Sequence, residues 1–257
     1  MKRRQFIELE DQAWFPRLIR DFATDYLQFV QTRLRFDRAM TPLIRRLMED
    51  GGTRRIVDLC SGGSGPLLLL VRDLADAGLQ VTVTMTDLYP NIPAFEAIAA
   101  RSGGRIGYEG SPVDARAVPP GLPGLRTLFN AFHHLAPADA RSVLHAAAAA
   151  RQPLAIFEIS ERSARALIPI MLLTPIFVWL ATPFMRPLRW QRLLWTYLVP
   201  LVPFTCWWDG IVSQLRAYSV DELRELAAGS APMRWEAGQV PVVGGGARLT
   251  YLLGFPA

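Results

Sequence analysis

The sequence predicts an α/β fold built on a mostly parallel sheet, and three observations carry that reading. An apolar run, Ile56-Val57-Asp58-Leu59, breaks into the small residues Cys60-Ser61-Gly62-Gly63-Ser64-Gly65 and then into a leucine-rich segment from Leu67. That is the pattern of a strand, a glycine turn and a helix. Short strand-like runs then alternate with helical stretches to give five strands in all, as parallel pairing with crossover helices requires. The chain closes on two alternating runs, 233–243 and 248–255, around Gly244-Gly245-Gly246, which read as an antiparallel hairpin.

At 257 residues, 51% hydrophobic and 20% charged, the chain is long enough for one large domain, or one with an insertion. The formal charge is +5, and nearly all the positive charge is arginine, since Lys2 is the only lysine. These arginines are spread along the chain rather than gathered in a run, so no nucleic acid partner is indicated. Cys60 and Cys206 stand far apart with no Cys/His cluster around them, which encodes neither a disulfide framework nor a metal site. A reducing, cytoplasmic setting is expected. The start, Lys2-Arg3-Arg4, is followed by Glu8, Glu10 and Asp11 where an export signal needs an apolar core, and an export signal is therefore not expected.

Taken in order, residues 6–50 carry apolar positions at helical spacing, among them Leu18, Phe22, Tyr26 and Phe29, with interruptions at Pro16 and Pro42. Two or three helices are expected there, and residues 1–53 read as a helical cap on a main domain of 54–257. A helix over 66–77 ends at Gly78, suited to a left-handed cap. A Val- and Thr-rich strand over 80–86 ends at Asp87, with Leu88 next. An acidic residue there, 25 positions beyond Gly62, is where nucleotide-binding α/β proteins place the carboxylate that holds ribose hydroxyls. The alternative is an N-cap for the helix over 92–101. A third strand over 105–110 precedes Asp114 and Ala115 in a turn-rich stretch. A fourth, 125–129, runs into Asn130 and then His133 and His134, two of the three histidines. A histidine there suits a general base, and a packing role is the alternative. After an alanine-rich helix, the fifth strand, 154–159, carries Glu158 towards the same edge. Ser219 and Glu222 form a capping box for a helix over 219–228.

These motifs together resemble the class I S-adenosylmethionine-dependent methyltransferases. In that resemblance Asp58 takes the acidic position of the first motif, Cys60 the first glycine position, Gly62 the second and Ser64 the third, with Gly63 and Gly65 as extra glycines. The resemblance implies a Rossmann-like, seven-stranded sheet with a terminal antiparallel hairpin, an N-terminal helical lid and an apolar helical insertion after strand five. It implies S-adenosylmethionine as cofactor, S-adenosylhomocysteine as product and no metal. Asp58, Cys60, Ser61, Gly62, Gly65, Asp87, Leu88, Asp114, Ala115 and Asn130 would bind the cofactor, with Asp114 near the adenine amine. His133, His134 and Glu158 would be catalytic, and Tyr26, Trp207, Trp208 and Asp209 would meet the substrate.

The unusual part lies within 162–217. Residues 166–185 are uncharged and mostly apolar, enough for about 30 Å of helix. Arg186, Arg189 and Arg192 then lead into a second uncharged run, 193–208. Pro169, Pro175, Pro183, Pro200 and Pro203 are expected to cut these runs into pieces suited to a buried cap or pocket wall, with Leu172, Ile176, Trp179, Leu194, Leu198 and Trp208 covered by protein. Peripheral docking on a membrane through 166–208 and a homodimer interface remain open. The expected function is methyl transfer to a small, hydrophobic or lipid-like acceptor. The rivals are another use of the cofactor by the same fold, such as cyclisation or alkyl transfer, and a noncatalytic membrane-associated module.

Overall fold

The computed structural model describes residues 1–63, 65–242 and 246–256. Ser64, Val243, Gly244, Gly245 and Ala257 therefore lie outside the described residues.

Helices α1 (Arg17–Leu34) and α2 (Phe36–Asp50) precede the first strand. Between them Arg35 adopts a left-handed conformation, φ 50°, and its guanidinium bonds Asp37 and Asp73. Helix α2 runs through Pro42, so only one of the two expected interruptions occurs in these helices. Then follow β1 (Arg55–Asp58), α3 (Leu67–Asp76), β2 (Thr82–Met85), α4 (Ile92–Arg101) and β3 (Ile106–Tyr108). The next elements are β4 (Leu125–Phe129), α5 (Pro137–Ala149), β5 (Leu154–Glu158), α6 (Ala164–Ala181), α7 (Trp190–Leu193) and α8 (Leu201–Arg216). Helix α9 (Val220–Ala227) and strands β6 (Met233–Pro241) and β7 (Arg248–Pro256) complete the chain.

The chain folds as two compact units: Met1–Arg33 with Ser160–Tyr218, and Leu34–Ile159 with Ser219–Ala257. Helix α2, grouped by the sequence with an N-terminal cap, belongs to the second unit, where its apolar stripe Phe36, Met40, Ile44 and Leu47 packs with residues of the sheet.

In that unit seven strands lie in the order β3-β2-β1-β4-β5-β7-β6. The first five are parallel and β7 is antiparallel to β5 and β6, as expected. Side chains alternate across the pleat. Ile56, Val83, Ala155, Phe157 and Leu253 join Leu67, Leu70, Phe95 and the α2 stripe in one core, while their neighbours Val57, Ile156 and Leu252 are buried on the other face. Helix α9 packs on β6, β7 and α5. Its start is fixed by the expected capping box, with Glu222 N–H donating to Ser219 Oγ and Ser219 N–H to Glu222 Oε2. Strand order reverses between β1 and β4, and such a switch point opens a crevice at the carboxyl ends of the strands.

The other unit is helical. Helices α6 and α8 pack as a hairpin, and α1 joins them through a small core of Ile19, Phe22, Val178 and Val202, with Tyr26, Trp195 and Cys206 at its margin. Two expectations are corrected here. First, Pro169 and Pro175 do not break α6, which is helical throughout its 18 residues. Two carbonyls that prolines leave without a helical donor find another one. Pro175 lacks the N–H that would reach Met171 O, and the Trp207 indole donates to it at 2.9 Å. Pro183 stands in the same relation to Trp179 O, which accepts from the Tyr197 hydroxyl at 2.7 Å. Thr196 O, in the helical turn that ends at Leu198, accepts from the Trp179 indole at 3.1 Å. Second, the apolar residues are not covered by the chain: Leu172 is 65% exposed, Ile176 51%, Trp179 48% and Leu198 77%, with Leu194 and Trp208 half-buried. Within α6 only Thr174 and Val178 are buried, since one face of the helix is all that α1 and α8 can pack against.

Candidate functional site

The site is built where β1, β2, β4 and β5 end together. Strand pairing continues past β1: Leu59 N–H donates to Thr127 O, Ser61 N–H to Thr86 O and Thr86 N–H to Asp58 O. The chain then turns sharply, with Cys60 at φ 56°, Gly62 at φ 48° and Gly65 at φ 38°. A left-handed conformation is uncommon outside glycine and costs on the order of 1 kcal/mol, so Cys60 carries local strain. A Cβ added to Gly62 would meet nothing within 4 Å, which leaves open space at the exposed apex of the turn.

Asp58 is buried and its carboxylate serves the turn itself. Oδ1 accepts from the Thr127 hydroxyl at 2.7 Å and Oδ2 from the Ser61 hydroxyl at 2.6 Å. Burial raises its pKa to about 7 against these two hydrogen bonds, which pull the other way. Asp87 lies at the rim. Its Oδ2 accepts from Gly62 N–H and its Oδ1 from Tyr89 N–H, both at 2.9 Å. It is not the N-cap of α4, a place that Asn91 takes. Leu88, beside it, is exposed. Asp87 O also accepts from Val113 N–H, which brings Asp114 and Ala115 to the same edge. Asp114 is gripped by Arg116, through Nη2 at 2.7 Å and Nε at 3.0 Å, and that bond holds its carboxyl below the usual range. Arg116 also bonds Asp139 at 2.7 Å. Cys60 lies among these carboxylates. Its thiol is pushed up to about 12, first by burial and then by the negative charges of Asp87, Asp58 and Asp114.

At the end of β4, Asn130 is left-handed at φ 52°; its N–H donates to Phe157 O and its Oδ1 accepts from Ile159 N–H at 3.3 Å, tying β4 to β5. A short helical turn then carries His133 and His134, whose rings lie against each other with centroids 4.3 Å apart and planes tilted by 34°. His133 is fully buried and its Nδ1 lies 2.5 Å from Glu158 Oε2. Glu158 Oε1 accepts from Phe132 N–H at 2.7 Å and His133 N–H at 3.3 Å. A carboxylate on Nδ1 fixes the tautomer that puts the lone pair on Nε2, the arrangement of an oriented base.

The four residues expected to meet substrate all lie in the helical unit. Tyr26 packs at the margin of its core, and burial raises its hydroxyl pKa. The Trp207 and Trp208 indoles donate to Met171 O and Ile7 O. Asp209 accepts from Leu9 and Glu10 N–H at 2.7 and 3.0 Å and is raised to about 6 by burial, so it anchors the N-terminal segment. Sequence reasoning missed Thr127 and Arg116. A threonine within an apolar strand and an arginine two residues after an aspartate are too common to carry a signal by themselves.

No family model and no curated protein matches this sequence. Solved structures do. The S-adenosylmethionine-dependent methyltransferase SibL, in its apo form, aligns with 89% of this chain and 58% of its own at TM-score 0.52 and 13% identity. The methyltransferase domain of bacterial CtHen1 aligns with 86% of this chain and 99% of its own at TM-score 0.50 and 11% identity. The fold is that of the class I methyltransferases. Within this methyltransferase fold the glycine turn and the His133–Glu158 pair occupy the carboxyl ends of adjacent strands. The citrinin polyketide synthase CMeT domain aligns with 79% of this chain at TM-score 0.48 and 12% identity, over 46% of its own length. The chain thus spans about half the length of two of these three proteins.

Proposed function

We propose that the protein transfers a methyl group from S-adenosylmethionine to a small, hydrophobic acceptor. The observation that carries this is Asp87, whose carboxylate lies on the rim of the glycine turn beside the open space at Gly62, in a place where nucleotide-binding sheets more often present phosphate-binding groups. Negative charge there disfavours a pyrophosphate and suits a ligand that carries an ammonium and a sulfonium group. The residues fit such a ligand. Gly62 leaves open space beside the main chain, and Asp87, with one hydrogen bond accepted on each oxygen, retains lone pairs for two ribose hydroxyls. When bound, S-adenosylmethionine supplies an electrophilic methyl group.

The chain's own part is to position the acceptor and take its proton. His133 is buried, so an acceptor hydroxyl or amine must uncover Nε2 as it binds; it then gives its proton to Nε2 while Nδ1–H stays hydrogen-bonded to Glu158, whose negative charge stabilises the imidazolium. Glu158 is a positioning residue. Much of the remaining rate comes from holding the reacting atoms about 3 to 3.5 Å apart in line. Strain at Cys60 and Asn130 supports a site, because sparsely populated backbone conformations cluster where function requires them.

Titration calorimetry with S-adenosylhomocysteine tests the cofactor, and its failure to bind the wild type would end this reading. Radiolabelled S-adenosylmethionine with a panel of small aromatic hydroxyl compounds tests the transfer, and mass spectrometry of the products separates methylation from cyclisation or alkyl transfer. His133→Ala and Glu158→Gln should slow turnover by roughly 10²- to 10⁴-fold while the dissociation constant of S-adenosylhomocysteine stays within about twofold. Equal losses of affinity and turnover would make the pair structural.

A further inference from the structure

We propose that the α6–α8 hairpin docks on an anionic lipid bilayer, resting in the interface without crossing it. The surface is large and continuous in sequence: Leu172, Phe177, Leu180, Trp190 and Leu198 are among the exposed large apolar residues of 168–204. A monomer in water rarely leaves so much apolar surface together. The most apolar window of the helical stretch Ala164–Phe184 has mean hydropathy 2.0, and only 17% of it is buried.

Three observations choose a bilayer as the occupant. The first is charge. Between Glu161 and Asp209 the sequence holds five arginines, Arg162, Arg165, Arg186, Arg189 and Arg192, and no Asp or Glu. Arg186 and Arg189 are exposed beside the apolar surface, where basic side chains meet acidic headgroups. Arg192 is excluded from that role, because it is buried and bonds Asp25, Met185 O and Pro187 O.

The second is the treatment of the backbone. In water an exposed carbonyl freed by a proline can be hydrated, whereas in hydrocarbon it must be satisfied by the protein. The carbonyls of Met171 and Trp179, freed by Pro175 and Pro183, accept instead from Trp207 and Tyr197, and Thr196 O nearby accepts from Trp179. Large amphipathic aromatics of this kind suit the depth where acyl chains give way to headgroups.

The third sets the limit of insertion. Helix α1 flanks the hairpin and carries Arg17, Arg20, Asp21, Asp25 and Arg33. A charged helix along one flank keeps that flank in water, so the hairpin lies in the interface as a monotopic element does. The inference does not depend on the methyl-transfer reading.

Flotation of the full chain with phosphatidylcholine vesicles, with and without about a quarter phosphatidylglycerol, at low and high salt, tests it. Binding should favour the anionic vesicles and weaken roughly tenfold or more at high salt. A Leu172→Glu/Leu198→Glu variant should lose roughly tenfold or more on both vesicles, and Arg186→Glu/Arg189→Glu on the anionic ones alone, with circular dichroism unchanged. A wild type that ignores vesicles overturns the proposal. A detergent-free dimer dissolved by Leu172→Glu/Leu198→Glu would give the face to a second copy, and resistance to alkaline carbonate extraction would mean a crossing. Equal, salt-insensitive binding to both vesicles would remove the arginines from the account and overturn the anionic surface.

Discussion

Asp87 accepts the N–H groups of Gly62 and Tyr89, so it shapes the turn as well as facing the open space beside it. Asp87→Ala is therefore expected to weaken S-adenosylhomocysteine binding by about 2 to 4 kcal/mol, the loss of charge-assisted hydrogen bonds together with a less ordered turn. Asp87→Asn, which keeps an acceptor, should lose less. Calorimetry on the two variants checks the order, and unchanged affinity in a folded Asp87→Ala protein would remove the carboxylate from the site. Asp58 poses a different question, since its raised pKa is a statement about stability. The folded state holds its proton up to about pH 7, whereas an exposed aspartate loses it near pH 4. Between these values the folded state binds more protons, so stability falls as pH rises and the loss is complete above about pH 7, at most roughly 4 kcal/mol. Asp58→Asn avoids it: the amide oxygen can accept from Thr127, and the amide N–H can donate to Ser61 Oγ while that hydroxyl turns to Asp58's main-chain oxygen. Thermal unfolding should show the variant more stable than wild type at pH 8 and similar to it near pH 4. The reverse order at pH 8 would mean that the folded protein favours the ionised carboxylate, so that the pKa of Asp58 is not raised by folding.

At the scale of elements, the hairpin shows how a helix tolerates proline. A lost N–H costs little if a distant donor replaces it at the orphaned carbonyl. Trp207→Phe keeps the ring's bulk but removes the donor to Met171 O, and should destabilise by about 1 to 2 kcal/mol. In a Pro175→Ala background the alanine N–H returns to that carbonyl, and Trp207→Phe should then cost clearly less. A double-mutant cycle by urea unfolding reads the coupling; additive losses would mean that the indole bond does not compensate for the proline.

For the whole molecule, ligand binding and folding are linked. At about a hundred times its dissociation constant, S-adenosylhomocysteine adds roughly 2.7 kcal/mol of stability, which for a chain of this size raises the melting temperature by about 5 to 10 °C. Gly62→Val should abolish that shift, because valine resists the left-handed conformation and its side chain enters the open space at the turn. A full shift in the variant would place the ligand elsewhere.

Sequence alone determined the sheet. Strand β4, helix α4 and the capping box of α9 lie where period, Asx and glycine punctuation and cap chemistry put them, because those signals are local and each is strong enough to act without its neighbours. It also placed Asp87, His133, His134 and Glu158 at one edge, since parallel strands bring their carboxyl ends together. Tertiary structure decided what these groups do with each other: that Glu158 orients His133 across 25 residues, that Asp58 turns inward to Thr127, and that Arg116 engages Asp114. It decided the apolar insertion as well. Prolines read as breaks when only neighbours are considered, yet Trp207 supplies Met171 O from 36 residues away, and α6 stays whole with its apolar side outward. Local pattern specifies which conformation a segment prefers; which donor reaches which acceptor, and which face remains uncovered, depends on contacts that exist only after the chain has folded.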